Sequence, residues 1–300
     1  MSTSTYDSVR PVTTDVPEPT LRQRLGRGFF LVRLSLLLTL LGLTGFWGYG
    51  DIQSRNARTH WDHTLSVAVV IVTTAPVEPA SVRKLEARLG ELEALLAREF
   101  WRYRQGPLPF RLVLQGVARA GVPPEPPSGV FDLARHGYQQ WSYLSSIDAQ
   151  VGLNSARYDS RIYVVARPPA DTSIQFVEGY SQQGGRVGIV QVELNEEMVD
   201  LVLSVTAHEL LHTLGAEDKY DATGHTLIPE GLAEPDKHPR FPQRYVEVMT
   251  RNRVLSETEE RILDDLSQLR VGPLTAREIG WAPAQSTSAR LNSAQVPSTR

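Results

Sequence analysis

The chain has 300 residues, enough for one large domain or two small ones with a sizeable buried core. A formal net charge of -3 gives no global basic field, which argues against nucleic acid as a partner. The absence of cysteine excludes disulfide frameworks, cysteine-ligated zinc sites and thiol nucleophiles.

The first predicted element is the apolar segment 29–50, FFLVRLSLLLTLLGLTGFWGYG, which is long enough to cross a bilayer. Arg33 lies close enough to its start to reach the interface, and three more arginines precede it. Trp47 and Tyr49 lie at its far end as interfacial anchors. The positive-inside rule then predicts a single-pass membrane protein with a cytoplasmic N-terminus and a periplasmic or extracellular remainder.

A cleaved signal peptide is the alternative, with Gly48 and Gly50 as the small residues of its cleavage site. The leader of 28 residues is long for the basic region of a signal peptide, which favours a transmembrane signal anchor. The polar composition of 1–28 and 283–300 predicts a disordered cytoplasmic tail and a disordered C-terminal tail. The remaining segment, 55–282, is the predicted folded domain.

Strand and helix patterns alternate within this domain. Four segments have the β-branched or alternating apolar pattern of strands, at 65–74, 110–118, 161–168 and 184–194. Three segments have helical patterns, at 81–105, 131–147 and 195–214. The order strand, helix, strand, helix, strand, strand, helix predicts an α/β or α+β fold with one mixed sheet.

Capping signals accompany the first and last of these helices. Ser81 is placed to cap the first, whose apolar stripe consists of Leu85, Leu89, Leu92, Leu95 and Leu96. Asn195 is predicted to cap the last, with Glu196 and Glu197 in its first turn, where the helix dipole favours acidic side chains. The strand before this helix alternates after a Gly-Gly turn and is predicted to be half-exposed.

The last helix carries His208 and His212, with Glu209 directly after the first histidine. Positions i and i+4 share a helix face, so both imidazoles can bind one metal ion. Glu209 lies about 100° around the helix from His208, where a general base can act on water activated by the metal. A core helix with two hydrogen-bonded histidines is the alternative, because this motif arises by chance in roughly one such chain in a hundred.

The residues that follow extend the motif. Gly215 can take the positive φ that a sharp helix end requires, and the carboxylate of Asp218 can then turn back toward the imidazoles. The pattern His-Glu-x-x-His-x-x-Gly-x-x-Asp resembles the motif of the metzincin clan of zinc endopeptidases. Its aspartate version is similar to that of the snapalysin-type bacterial proteases.

The resemblance implies two further features. Metzincins have a methionine turn beneath the zinc ion, for which Met249 in RYVEVMTRN is the candidate; ordinary core packing of Met249 is the alternative. Thr250 replaces the tyrosine that some metzincins place after this methionine. The family also has an antiparallel edge strand that binds substrate as an added strand, and the expected counterpart is 186–193.

Other residues remain open as the third ligand. Glu217 is adjacent to Asp218, and three acids lie at the distances where other zincins take a glutamate from a second helix. The segment that holds these acids contains four prolines and cannot form such a helix; the acids are Glu230, Glu234 and Asp236. His225 and His238 are interpreted as solvated loop residues, with a place in the cleft wall as the alternative.

The resemblance implies a metzincin-like zincin domain with a mixed twisted sheet, an active-site helix and a Met-turn, preceded by one transmembrane helix. Zn²⁺ would be bound by His208, His212 and Asp218. Glu209 would be the general base in the hydrolysis of peptide bonds. The expected partners are a peptide or protein substrate and the membrane, without nucleic acid. The alternatives are a non-catalytic envelope protein with structural zinc and a zinc amidohydrolase acting on a non-peptide substrate.

Overall fold

A computed structural model of the protein describes residues 21–125, 129, 132–168, 177–181 and 184–283. Most of the two predicted tails, 1–20 and 284–300, therefore lies outside the described residues. The chain divides into two compact units, one ending at Ile52 and one beginning at Gln53.

The smaller unit contains most of one long helix, α1 (Leu21–Thr59). Among the described residues, Val32–Thr59 is the one helical stretch long and apolar enough to cross a membrane by length and composition. Its apolar side chains are exposed, as Leu36 shows at 67%. The helix extends beyond both ends of the predicted anchor segment, and its last turns belong to the larger unit.

The larger unit is built on a five-stranded sheet of order β2-β1-β3-β5-β4. Adjacent strands are parallel except at one edge, where β4 is antiparallel to β5. The strands are β1 (Leu65–Thr73), β2 (Phe110–Arg119), β3 (Ser160–Arg167), β4 (Val177–Ser181) and β5 (Val187–Glu193). The mixed sheet agrees with the prediction.

Helices cover both faces of this sheet. They are α2 (Pro79–Trp101), α3 (Leu133–Val151) and α4 (Val199–His212). The short α5 (Pro273–Glu278) adds Ala276 to the core that contains α2 and α4. Successive residues of β1 point to opposite faces, so Val67 and Val69 pack with α2 and α4, whereas Val70 and Val72 pack with α3. The continuous apolar run of β1 is thus buried on both faces. The predicted leucine stripe of α2 is buried throughout, at Leu85, Leu89, Leu92, Leu95 and Leu96.

The beginnings of α2 and α4 differ from the predictions. α2 begins at Pro79, which suits a first helical turn because proline lacks an amide donor, and Ser81 lies fully buried inside the helix. Asn195 does not cap α4: its Oδ1 accepts a hydrogen bond from the backbone N–H of Met198 at 2.8 Å. This local turn ends before the helix, which begins at Val199, so Glu196 and Glu197 precede the helix.

The prediction of 186–193 as the antiparallel edge strand is wrong. β5 covers most of that segment and is paired on both sides, parallel with β3 and antiparallel with β4. β5 is accordingly buried for most of its length and not half-exposed. The antiparallel edge strand is β4, which the sequence analysis missed because its five residues, VEGYS, are short and include glycine and serine.

The chain after α4 is mostly irregular, with four two-residue strands in two pairs. The parallel pair is β6 (Val246–Glu247) with β9 (Leu269–Arg270), and the antiparallel pair is β7 (Arg253–Val254) with β8 (Glu260–Arg261). Met249 lies between β6 and β7 and is fully buried in the same core as α2 and α4. This arrangement brings the segment around Met249 close to the C-terminal end of α4.

Candidate metal centre

Three side chains converge where α4 ends. His208 and His212 come from α4, and Asp218 comes from the loop that follows. The two Nε2 atoms are 3.0 Å apart, and Asp218 Oδ1 lies 3.1 Å from each of them. Tetrahedral zinc with bonds of about 2.0–2.2 Å separates its ligand atoms by about 3.3 Å, so the triangle fits zinc to within a few tenths of an ångström.

Backbone carbonyls set the protonation of both imidazoles. His208 Nδ1 lies 2.9 Å from the carbonyl oxygen of Val248, and His212 Nδ1 lies 2.8 Å from that of Ala216. A carbonyl can only accept, so each Nδ1 carries the proton and each neutral ring presents an unprotonated Nε2. Two nitrogen lone pairs and a carboxylate oxygen therefore face one point, as the ligands of a cation do.

The pKa values of the cluster show the same preference for positive charge. Burial by itself would raise the pKa of Asp218, but its contacts with both imidazoles hold that pKa well below its usual value. Burial would lower the pKa of His212, but the Asp218 carboxylate stabilises the protonated form of the ring and raises that pKa. The donor set and the charge of the site both fit a divalent metal such as zinc.

Gly215 makes the turn that brings Asp218 back to the helix. Its φ is +104°, a region that favours glycine, and its backbone N–H donates to the carbonyl of His212 at 3.0 Å. The backbone N–H of Ala216 donates to Leu211 at 3.1 Å and completes the helix end. The predicted positive φ at Gly215 is therefore confirmed.

A buried ion pair, which sequence analysis missed, holds the loop of Asp218. Lys219 is 2% exposed, and its Nζ donates to the two carboxylate oxygens of Glu278 at 2.7 and 2.8 Å. The same Nζ donates to the carbonyl of Glu217 at 2.8 Å, and the Glu217 N–H donates to Glu278 at 3.1 Å. The backbone N–H of Lys219 donates to the carbonyl of Met249 at 2.9 Å. Asp218 is thus fixed by its neighbours on both sides.

The segment 247–249 supports both the helix and the loop. Val248 accepts the hydrogen bond from His208, and Met249 accepts the one from Lys219. The carboxylate of Glu247 orders this segment by accepting from the backbone N–H of Met249 at 2.5 Å, as well as from Gly272 and Thr275. Complete burial raises the pKa of Glu247. Met249 is therefore a core residue whose backbone also holds the ligand loop.

Glu209 lies beside the triangle and not in it. Its side chain is 2% exposed and packs against glycines of two strands, Gly179 of β4 and Gly188 of β5. A Cβ at Gly179 would overlap the Oε1 of Glu209, and one at Gly188 would lie 3.1 Å from the Cβ of Glu209. Burial raises the pKa of Glu209, although the two imidazoles oppose this effect. The glycines therefore allow the sheet to hold this carboxylate.

The triangle opens on a cleft of about 330 Å³, whose walls include Gly179, Ser181, Glu209 and Tyr220. The Tyr220 ring stacks on His208, with centroids 6.3 Å apart. The guanidinium carbon of Arg251 lies over the Tyr220 ring, 4.6 Å from its centroid. Burial raises the pKa of Tyr220. Sequence analysis missed this tyrosine, although its place two residues after Asp218 is a usable signal.

The other candidate ligands do not join the triangle. Among the described residues, the metal-ligating group consists of His208, His212 and Asp218 alone. Glu217 contributes to the cleft wall, and Glu234 forms an ion pair with Arg244. The remaining candidates outside the group are Glu230 and Asp236. His225 and His238 are exposed and do not line this cleft.

No family model and no curated protein matches the sequence. Among solved structures, the chain is similar to archaemetzincin from Methanopyrus kandleri, with 17% identity and a TM-score of 0.27. The match covers 56% of this chain and 79% of that chain. A likeness this remote does not assign the chain to a family. The fold and the site define a mixed α/β protein with a His-His-Asp group able to hold a metal ion.

We expect Asp218→Ala to weaken zinc binding more than about 100-fold, because it removes one of the three ligands. Mutation of residues that only hydrogen-bond to metal ligands already lowers metal affinity by about 10–100-fold. Competition with a zinc chelator measures this change. Glu217→Ala is the matched control and should retain the metal. The opposite result, with zinc lost from Glu217→Ala and kept by Asp218→Ala, would assign the third ligand to Glu217.

We expect Glu278→Gln to weaken zinc binding about tenfold although all three ligands remain. The substitution removes the negative charge that pairs with Lys219 and so loosens the loop that carries Asp218. The same chelator competition measures the effect. Glu86→Gln, at an exposed position of α2, is the control and should change nothing. Equal affinities in the two variants would show that the Lys219–Glu278 pair does not position Asp218.

Proposed function

We propose that the protein is a zinc-dependent endopeptidase of metzincin-like fold, anchored in a membrane by α1. The observation that carries this proposal is the convergence of His208, His212 and Asp218 at an open cleft, with the carboxylate of Glu209 beside them. Catalytic zinc sites commonly have three protein ligands, whereas structural sites are usually closed by four. This count favours an enzyme over a non-catalytic zinc protein.

Zinc bound by these residues would supply Lewis-acid activation of a water molecule and of the scissile carbonyl. Glu209 accepts the proton of the attacking water and passes it to the departing amine. Gly179 and Gly188 fix the position of its carboxylate, so that both transfers use one well-placed group. Tyr220 brings a hydrogen-bond donor to the same cleft, where it is suited to the negative charge that develops on the substrate oxygen.

The edge strand β4 favours a peptide substrate over a small non-peptide amide. β4 pairs with β5 in a register that sets Gly179 opposite Val190 and Ser181 opposite Gly188. An extended peptide can add to the other edge of such a strand through backbone hydrogen bonds. Gly179 and Ser181 also line the cleft, so a peptide added there would pass Glu209.

We expect Glu209→Gln to retain zinc and to lose turnover by about 10²–10⁴-fold, because glutamine keeps the shape of the side chain but cannot accept the proton. Zinc content and cleavage of unfolded casein are measured on the same preparation. Glu217→Gln, in the wall of the same cleft, should keep both. Cleavage by Glu209→Gln at the wild-type rate would remove Glu209 from the mechanism, and an inactive wild type with bound zinc would favour a structural metal.

We propose that α1 spans the membrane with a cytoplasmic N-terminus and an exported catalytic unit, as the arginines before its apolar stretch favour. The full-length protein should then sediment with membranes and resist alkaline extraction. Protease added outside intact cells should digest the larger unit. A soluble mature form that begins near Asp51 would support the cleaved signal peptide instead.

A further inference from the structure

The last turn of α1 carries a buried arginine that bonds to the backbone near the cleft. Arg58 is 3% exposed. Its Nη1 donates to the carbonyl of Thr213 at 3.0 Å and to that of Gly185 at 2.7 Å, and its Nη2 donates to that of Gly184 at 2.9 Å. One guanidinium group therefore joins two segments of the larger unit that are distant in sequence.

Both segments border the candidate centre. Thr213 follows α4 directly after His212, and Gly184 and Gly185 lie between β4 and β5. The N–H of Gly184 also donates to the carbonyl of His212 at 2.8 Å. Arg58 consequently bonds to the end of the helix that supplies two ligands and to the residues just before β5, whose Gly188 packs on Glu209.

An arginine suits this position for two reasons. Its planar fork directs several donors at once, so three carbonyls can be bonded in one fixed geometry, which the single ammonium group of lysine cannot reproduce. Its positive charge also lies at the C-terminal end of α4, where the helix dipole favours a cation. Gly184 has a φ of +68°, a region that favours glycine, so the turn that Arg58 bonds to has a defined backbone conformation.

We propose that Arg58 is a positioning residue of the catalytic cleft, which fixes the turn at Gly184 and Gly185, just before β5, to the end of α4. The proposal rests on the proposed peptidase function. Arg58 holds the backbone just before β5, whose Gly188 pairs with Ser181 of β4, where an added peptide strand would lie. The metal ligands keep their own contacts with Val248 and Ala216. The residue thus acts on substrate binding and leaves the metal in place.

The test compares Arg58→Lys with wild type in the full-length protein in detergent. Loss of the hydrogen bonds that order the turn should raise KM for an extended peptide about tenfold, with kcat changed less than about threefold. Zinc affinity should be unchanged. Hydrogen exchange at the Gly184 amide should accelerate about tenfold, while exchange in β1 and α2 stays the same. Arg98→Lys, at an exposed position of α2, is the matched control.

Three results overturn the proposal. The first is exchange at Gly184 equal to that of the control, and the second is an unchanged KM for the peptide. The third is exchange that accelerates equally in β1 and α2 with a lower melting temperature, which identifies Arg58 as a general stabilising residue. A wild-type protein without peptidase activity contradicts the proposed function, and the Gly184 amide then still decides whether Arg58 fixes the turn.

Discussion

The hydrogen bond from His208 Nδ1 to the carbonyl of Val248 is the contact on which the centre depends. It fixes the tautomer that leaves Nε2 free of a proton, and the bond from His212 to Ala216 does the same for the second imidazole. Both acceptors belong to backbone outside α4, so the helix alone cannot orient its own ligands. The segment 247–249 and the turn after Gly215 must both be in place for the two nitrogens to face one ion.

Buried charges then fix these acceptors. Glu247 is enclosed by donors from Met249, Gly272 and Thr275, and Lys219 is enclosed by Glu278 and a backbone carbonyl. A buried charge is costly unless its hydrogen bonds are made, so each group restricts the surrounding backbone to one arrangement. The irregular chain after α4, which has few long strands or helices of its own, obtains its order largely in this way.

Sequence analysis predicted those features whose sequence pattern lies within one short segment of the chain. The run of β1 and the leucine stripe of α2 follow from periodicity, and the candidate ligands from His208 to Asp218 lie within a single helix and turn. The features that it missed join distant segments. β4 is recognisable only by its pairing with β5, and Lys219 gains its partner from a helix 59 residues later. Asn195 failed as a cap because its own local turn competes with the helix.

The end of α1 shows that the boundary between the two units falls inside a single helix. The apolar pattern ends near Tyr49, and a polar stretch after it has the composition of a linker. Residues from Gln53 nevertheless belong to the larger unit, and Trp61 is buried there with its Nε1 bonded to the carbonyl of Ile279 at 2.7 Å. A cut before Gln53 would leave Arg58 with the cleft, whereas a cut after Thr59 would separate it. The polar end of α1, from Gln53 to Thr59, is therefore part of the larger unit, because Arg58 in its last turn bonds to the backbone of Thr213 and Gly184.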